Sequence, residues 1–300
     1  MNPQNNGLNE EQQVLLQQMY NSSEAVKAFE GGNYLFFSGA IKAVLEQMVG
    51  VLPAGEQVHI LDLGCGGGMG GVICCKLLEE LNLIGDWTGI DIAEGMIANA
   101  ALKLNNEESA SIYTGNFRNP TEEMQENLFG KHNFIIAFGA GDGMKNYYAH
   151  MNDILKYAAD GATILIIDYI KGSYNEVSLG DLVSQARPTN AHALGNGIAG
   201  QIARTPAELG ITNTSMLSRA VRNPKASLAF IKLGGKESGF PAYTSGMNTL
   251  GIKSLLEFAI MADAEVASMS NKNLPYNPII LRFVATPKVK QKVVNQLNES

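Results

Sequence analysis

The sequence predicts an α/β chain built on a doubly wound, mostly parallel sheet. Short apolar runs alternate with helical stretches from Val58 to Ile170, the rhythm of strand–helix crossovers. A glycine-dense turn at 64–71 follows the first run and opens a helix. Only Lys272–Pro278 separates the last two runs, too short for a parallel crossover, so they are expected to close the sheet as an antiparallel hairpin.

In order along the chain, residues 1–8 are polar. Val14, Leu15, Met19, Val26 and Phe29 recur at helical spacing over 9–29, and Gly31-Gly32 breaks that pattern. A second helix is expected over Tyr34–Val51, carrying Phe36, Phe37, Ile41, Val44, Leu45 and Met48. Strands are expected at Val58–Leu63, Trp87–Ile92, Ala110–Tyr113, Asn133–Phe138 and Ala162–Ile170, with helices at Gly70–Leu83, Gly95–Leu104, 120–128 and Lys145–Ala159 between them. Residues 172–246 interrupt the rhythm with ten glycines, four prolines and no long buried strand. The pattern returns with a helix at Asn248–Met261 and strands at Ala264–Ser270 and Ile279–Thr286, which makes a seven-stranded sheet.

Composition narrows the function. Of 300 residues 45% are hydrophobic, enough for a sizeable core. The net charge of -7 argues against a general nucleic-acid binder, which wants a basic stripe. The N-terminal MNPQNNGLNEEQQ lacks a secretory pattern, and no apolar run approaches the ~18 residues of a membrane helix. The expectation is a cytoplasmic protein with neither membrane nor nucleic acid as partner. Cys65, Cys74 and Cys75 fit no disulfide framework and no zinc spacing, so no metal is expected.

Six of the 32 glycines fall in the turn at 64–71. Such a turn lets backbone approach a ligand, and the helix that follows offers free N–H groups to it. Gly66-x-Gly68-x-x-Gly71 also satisfies the dinucleotide fingerprint, which keeps an NAD(P)-dependent oxidoreductase as an alternative. Three features point elsewhere. Asp62, two residues before the first glycine, would repel a pyrophosphate but suits an ammonium, directly or through water. Asp91 ends the second strand, where an acid accepts ribose hydroxyls in either cofactor class. The terminal hairpin is not the usual ending of a nicotinamide dehydrogenase.

With HILDLGCGGGMGG (59–71), TGIDIAEGMIANA (88–100), YTGNF (113–117), NFIIAFGAG (133–141), ATILIIDYI (162–170) and NPIILRFVATP (277–287), the chain resembles the class I S-adenosylmethionine-dependent methyltransferases, over about 58–170 and 247–287. The resemblance implies a Rossmann-like core and S-adenosyl-L-methionine as cofactor. It implies that Asp62 and the backbone of Gly64, Cys65, Gly66 and Gly68 hold the methionine end. Asp91 would accept the ribose hydroxyls, and Ile92 with Met96 would pack one adenine face. Asn116, beside Phe117, stands where the family usually has an acid for the adenine amino group. Phe138, Gly139 and Ala140 would lie along the sulfonium.

The insert carries seven basic and four acidic residues, a net +3 that leaves -10 on the rest of the chain. It also holds four of the six arginines, Arg187, Arg204, Arg219 and Arg222, whose forks match carboxylate or phosphate. They are the expected grip on a small anionic substrate, with Tyr34 as a covering residue. Where an oxygen or carbon acceptor needs a base, His192, Tyr169 and Asp168 are the candidates. No Asn/Asp-Pro-Pro-Tyr follows the fourth strand, which speaks against methylation of DNA bases and glutamine side chains. Asp168-Tyr169 is not the Asp-Asn pair of the catechol-type metal set, and no cysteine lies outside 65–75 to relay arsenic.

The expected organisation is a helical lid at 1–52, a cofactor-binding core at 53–171 and 247–288, a substrate cap at 172–246 and a tail at 289–300. The expected activity is methyl transfer to a small molecule by direct displacement, with a homodimer allowed for. A non-catalytic S-adenosylmethionine-binding protein is the other alternative.

Overall fold

The computed structural model describes residues 21, 32–52, 55–139, 147–171, 255, 257–268 and 276–299. The insert 172–246 and most of the expected first helix lie outside the described residues. Helix α1 spans Gly32–Val51. Strand β1 (Val58–Leu63) leads into helix α2 (Met69–Glu80), β2 (Gly85–Asp91) into α3 (Glu94–Lys103), β3 (Ala110–Thr114) into α4 (Glu122–Leu128), and β4 (His132–Phe138) precedes α5 (Tyr147–Leu155). Strands β5 (Ala158–Lys171), β6 (Glu265–Ser268) and β7 (Tyr276–Ala285) follow, and α6 (Pro287–Glu299) ends the chain. Residues 257–261 are helical as well.

The strands lie in the order β3-β2-β1-β4-β5-β7-β6. The first five run parallel, and β7 pairs antiparallel with both β5 and β6. The sheet is therefore mostly parallel with an antiparallel end. The sequence order reverses at β1, which has β2 on one side and β4 on the other. That is the switch point at which ligands bind in such sheets, beyond the strand C-termini. Register brings those ends level: Leu63 stands beside Ile90 and Ala137, Asp91 beside Thr114, and Phe138 beside Ile167.

Alternation along each strand divides the core into two layers. Ile60, Phe134, Ile136 and Leu165 face Ile41, Leu45, Ile73 and Leu77 of α1 and α2. Leu61, Leu63, Ile135 and Ile164 face Met151, Ile154 and Phe258 on the other side. Strands buried on both faces read as continuous apolar runs, which is why they are visible in the sequence.

Several boundaries differ from expectation. Gly32 opens α1 instead of breaking before it. α2 stops at Glu80, not Leu83. Asn82 takes a left-handed φ of 53° there, while its N–H bonds to Glu79 O and that of Leu83 to Leu78 O, a C-terminal closure. β5 starts at Ala158, inside the expected fourth helix. Ala158 pairs with His132, the register then shifts, and Gly161 at φ 84° absorbs the irregularity. β7 begins three residues earlier than expected, with Tyr276 opposite Lys171.

The expected tail at 289–300 is instead helical. Thr286 Oγ1 accepts from Val289 N at 3.2 Å, and Pro287 occupies the first helical position, where its missing N–H costs nothing. Val289 and Val293 are buried one turn apart, while Lys290 Nζ bonds Ala158 O at 2.7 Å and Asp160 Oδ1 at 2.8 Å. The charged run hides a two-residue apolar stripe.

Val293 has no exposed surface, whereas the adjacent Val294 is 41% exposed. Val293→Ala should cost about 2 kcal/mol of unfolding free energy, and Val294→Ala less than about 0.5 kcal/mol. Urea denaturation followed by circular dichroism checks the pair, and equal effects would mean that α6 is not packed as described.

Candidate cofactor site

The turn after β1 is held in place by the end of β2. Gly64 N and Cys65 N both donate to Ile90 O, at 2.8 and 3.0 Å. Gly66 N donates to Asp91 Oδ2 at 2.8 Å, while Ala93 N donates to Asp91 Oδ1 at 2.9 Å. One carboxylate thus ties the glycine turn to the start of α3.

Glycine is required here. Gly64, Gly66 and Gly68 have φ of 78°, 54° and 79°, a region side chains rarely adopt. The two flanking reasons differ. A Cβ on Gly68 would stand 2.7 Å from Ala100 Cβ, because the turn packs directly on α3. Among the described residues, a Cβ on Gly66 would meet nothing within 4 Å. Gly66 therefore borders open space above the turn, the cradle that a ligand can enter.

α3 supports the turn from the side. Lys103 Nζ donates to Gly67 O at 2.9 Å, and a Cβ on Gly67 would stand 2.8 Å from Asn99 Nδ2. Asn99 and Lys103 were not among the expected site residues. Their four-residue spacing puts them on one helix face, beside Ala100, and that face is the signal that could have found them. Below the turn lies Trp87, the one tryptophan of the chain, against which Gly71 and Gly89 both pack too closely for a side chain.

The charges are set by burial. Asp62, the last residue but one of β1, has no exposed surface and lies between Gly89 and Ile136. Desolvation raises the Asp91 carboxyl above its ordinary range, opposed by the backbone N–H groups of Ala93, Gly66 and Ile92. Burial pushes the Cys65 thiol well up, and the carboxylates of Asp91 and Asp62 push it the same way, so this cysteine is a neutral filler and not a nucleophile. Cys74 and Cys75, both buried on α2, are raised for the same first reason.

The remaining expected residues fall at the same sheet edge where they are described. Ile92 follows Asp91, and Met96 is buried on the first turn of α3. Asn116 follows β3, and its Oδ1 accepts from Arg118 N at 3.0 Å, so the amide helps to shape its own turn. The Phe117 carbonyl accepts from Tyr157 Oη at 2.7 Å, and the Arg118 guanidinium lies 5.5 Å from the Phe117 ring centre. Phe138 is buried at the end of β4, and Gly139 takes a φ of 68° with its N–H on Ile167 O at 2.7 Å. Asp168 and Tyr169 continue β5 beyond that level, so their backbone reaches the edge; their side chains lie outside the described residues, as does that of Tyr34 on α1. Ala140, His192, Arg187, Arg204, Arg219 and Arg222 lie outside the described residues altogether. His150 is packed edge-on between Phe117 and Tyr147, and burial holds its ring well below the ordinary histidine range, a neutral core residue. Among the described residues no helix is long and apolar enough to cross a membrane.

A carboxylate at the rim of an open glycine cradle, with apolar Ile92 and Met96 beside it, fits a nucleoside with a polar tail. Residues 54–209, just over half of the chain, match the model of a family described as a methyltransferase domain. The chain belongs to this methyltransferase family. No curated protein matches it significantly. Among solved structures, it is similar to the citrinin polyketide synthase CMeT domain (16% identity, 91% of this chain and 60% of that one, TM-score 0.49). It is similar to a phosphoethanolamine N-methyltransferase 2 of Haemonchus contortus (16% identity, 93% and 61%, TM-score 0.44). It is also similar to the CurJ carbon methyltransferase (12% identity, 83% and 54%, TM-score 0.44). The chain spans about three fifths or less of the length of these three structures. The cofactor of this methyltransferase is S-adenosylmethionine, which supplies an electrophilic methyl group when bound. Asp91, Ile92, Met96 and the Gly64–Gly68 backbone, which meet at this sheet edge, are the residues that would hold it.

Two predictions follow from the cradle. Gly66→Ala should lower cofactor affinity at least tenfold at a folding cost of about 1 kcal/mol from the left-handed φ alone, whereas Gly68→Ala should cost more through its clash with α3. Calorimetric titration and thermal melts of both variants check this. For Asp91 the sign follows from its raised carboxyl. The folded cofactor-free protein holds that proton more tightly than the unfolded chain, so this contribution to stability is complete below the ordinary carboxylate range. It is lost as pH rises through the higher folded value. Asp91→Asn should therefore flatten the fall in cofactor-free stability above pH 4 while weakening cofactor binding, and a pH series of melts that superimposes on wild type would contradict it.

Proposed function

We propose that this methyltransferase transfers the methyl group of S-adenosylmethionine to a small molecule that carries a carboxylate or phosphate. The cofactor half of the reading is carried by the Gly66 cradle with Asp91 at its rim. The substrate half is carried by charge. Four of the six arginines sit in the 172–246 insert, which follows β5 from the edge where the cofactor residues converge. Arginine forks recognise carboxylate and phosphate with paired hydrogen bonds. Such a grip would hold the acceptor atom in line with the methyl group, and positioning is the main demand of a direct displacement.

In this reading residues 1–52 form a lid and 172–246 a cap, which together exclude water from the sulfonium. Asp168 and Tyr169 are the candidates for a base supplied by β5, and His192 for one supplied by the cap. A sulfur or amine acceptor would need none of them. The reading places the reaction in the cytoplasm, with a homodimer as the assembly to look for.

The experiment is turnover to S-adenosylhomocysteine with a pool of anionic metabolites, followed by single Arg187→Ala, Arg204→Ala, Arg219→Ala and Arg222→Ala variants on the best substrate. At least one should raise KM tenfold or more with kcat little changed, the signature of lost ground-state binding. Four variants with wild-type KM would exclude the arginine grip.

A further inference from the structure

Helix α3 carries the adenine-facing residues, yet it does not cap itself. Its N-cap is Ala93, which has no side chain to accept a helix N–H. Two helices on the other face show the ordinary solution. Thr121 accepts from Met124 N at the start of α4, and Thr286 from Val289 N at the start of α6. At α3 the acceptor comes from far away in the chain. Gly95 N donates to Asn21 Oδ1 at 2.8 Å across 74 residues. The backbone is fitted to the same contact. A Cβ on Gly95 would stand 3.2 Å from both Asn21 Cα and Asn21 O, so glycine at 95 makes room for residue 21.

The capped turn is the one the cofactor needs. Gly95 lies between Asp91, whose carboxylate holds the turn at Gly66 and Ala93, and the buried Met96. We propose that Asn21 is a positioning residue for the cofactor. By capping α3 in trans it fixes the Asp91–Met96 turn and ties the N-terminal segment to the adenosine end of the site. This rests on the cofactor reading above. Coupling of this kind is reciprocal: if the Asn21 bond favours the bound form, the cofactor must strengthen that bond by the same factor.

The test measures S-adenosylmethionine affinity by calorimetry for wild type, Asn21→Leu and Asn21→Asp in the full chain. Limited proteolysis of the N-terminal segment with and without cofactor accompanies it. Asn21→Leu removes the acceptor at similar size and should weaken binding about fivefold, the usual worth of one N-cap. Asn21→Asp keeps an oxygen at the same reach and should restore affinity. The cofactor should slow cleavage of the segment in wild type and Asn21→Asp, and not in Asn21→Leu. Wild-type affinity in Asn21→Leu, whatever its melting temperature, would reduce Asn21 to a structural cap and overturn the proposal. A wild-type protein that binds no S-adenosylmethionine would instead overturn the cofactor reading, and this proposal with it.

Discussion

The site depends on one carboxylate. Asp91 accepts the N–H of Gly66 with one oxygen and that of Ala93 with the other, and so joins the β1 turn to the β2 turn. Without an acceptor there, the part-buried Gly66 N–H would lose the bond that fixes the turn, at a cost of about 1 kcal/mol. The left-handed glycines, the docking of Gly68 on Ala100 and the open face above Gly66 all follow from the turn being pinned in that position. In the proposed reading the same carboxylate accepts the ribose hydroxyls.

Burial raises the Asp91 carboxyl, which means that the ionised form is held against its solvation preference in the absence of ligand. Two more buried acidic or thiol groups, Asp62 and Cys65, lie within electrostatic reach. Cys65 answers by staying neutral. In the proposed reading a ribose hydroxyl that donates to Asp91 would relieve that unmet solvation.

The parallel core was legible because β1, β2, β4 and β5 are buried on both faces and read as apolar runs, and because glycine turns can be located by eye. Asp62, Asp91 and the glycines of the turn were singled out by spacing and family resemblance together. What escaped was set by contacts between distant residues. Gly161 and the β4–β5 register shift extend β5 into a stretch with helical periodicity. Lys103 reaches Gly67 only because α3 folds over the turn. Asn21 caps a helix 74 residues away, and no local pattern announces it. In α6 the signal was present, Thr286 and Pro287 before Val289 and Val293, but three lysines among them gave the segment the look of a solvated tail.

In the proposed reading the cradle between Gly66 and Asp91 takes S-adenosylmethionine and not a dinucleotide, although Gly66-x-Gly68-x-x-Gly71 would satisfy either pattern. Titrating the purified full chain with S-adenosylmethionine and, separately, with NAD in the same calorimeter tests it most directly. A saturable one-to-one heat with S-adenosylmethionine, lost in Asp91→Ala, and no heat with NAD is the predicted result. Preferential binding of NAD would contradict the account.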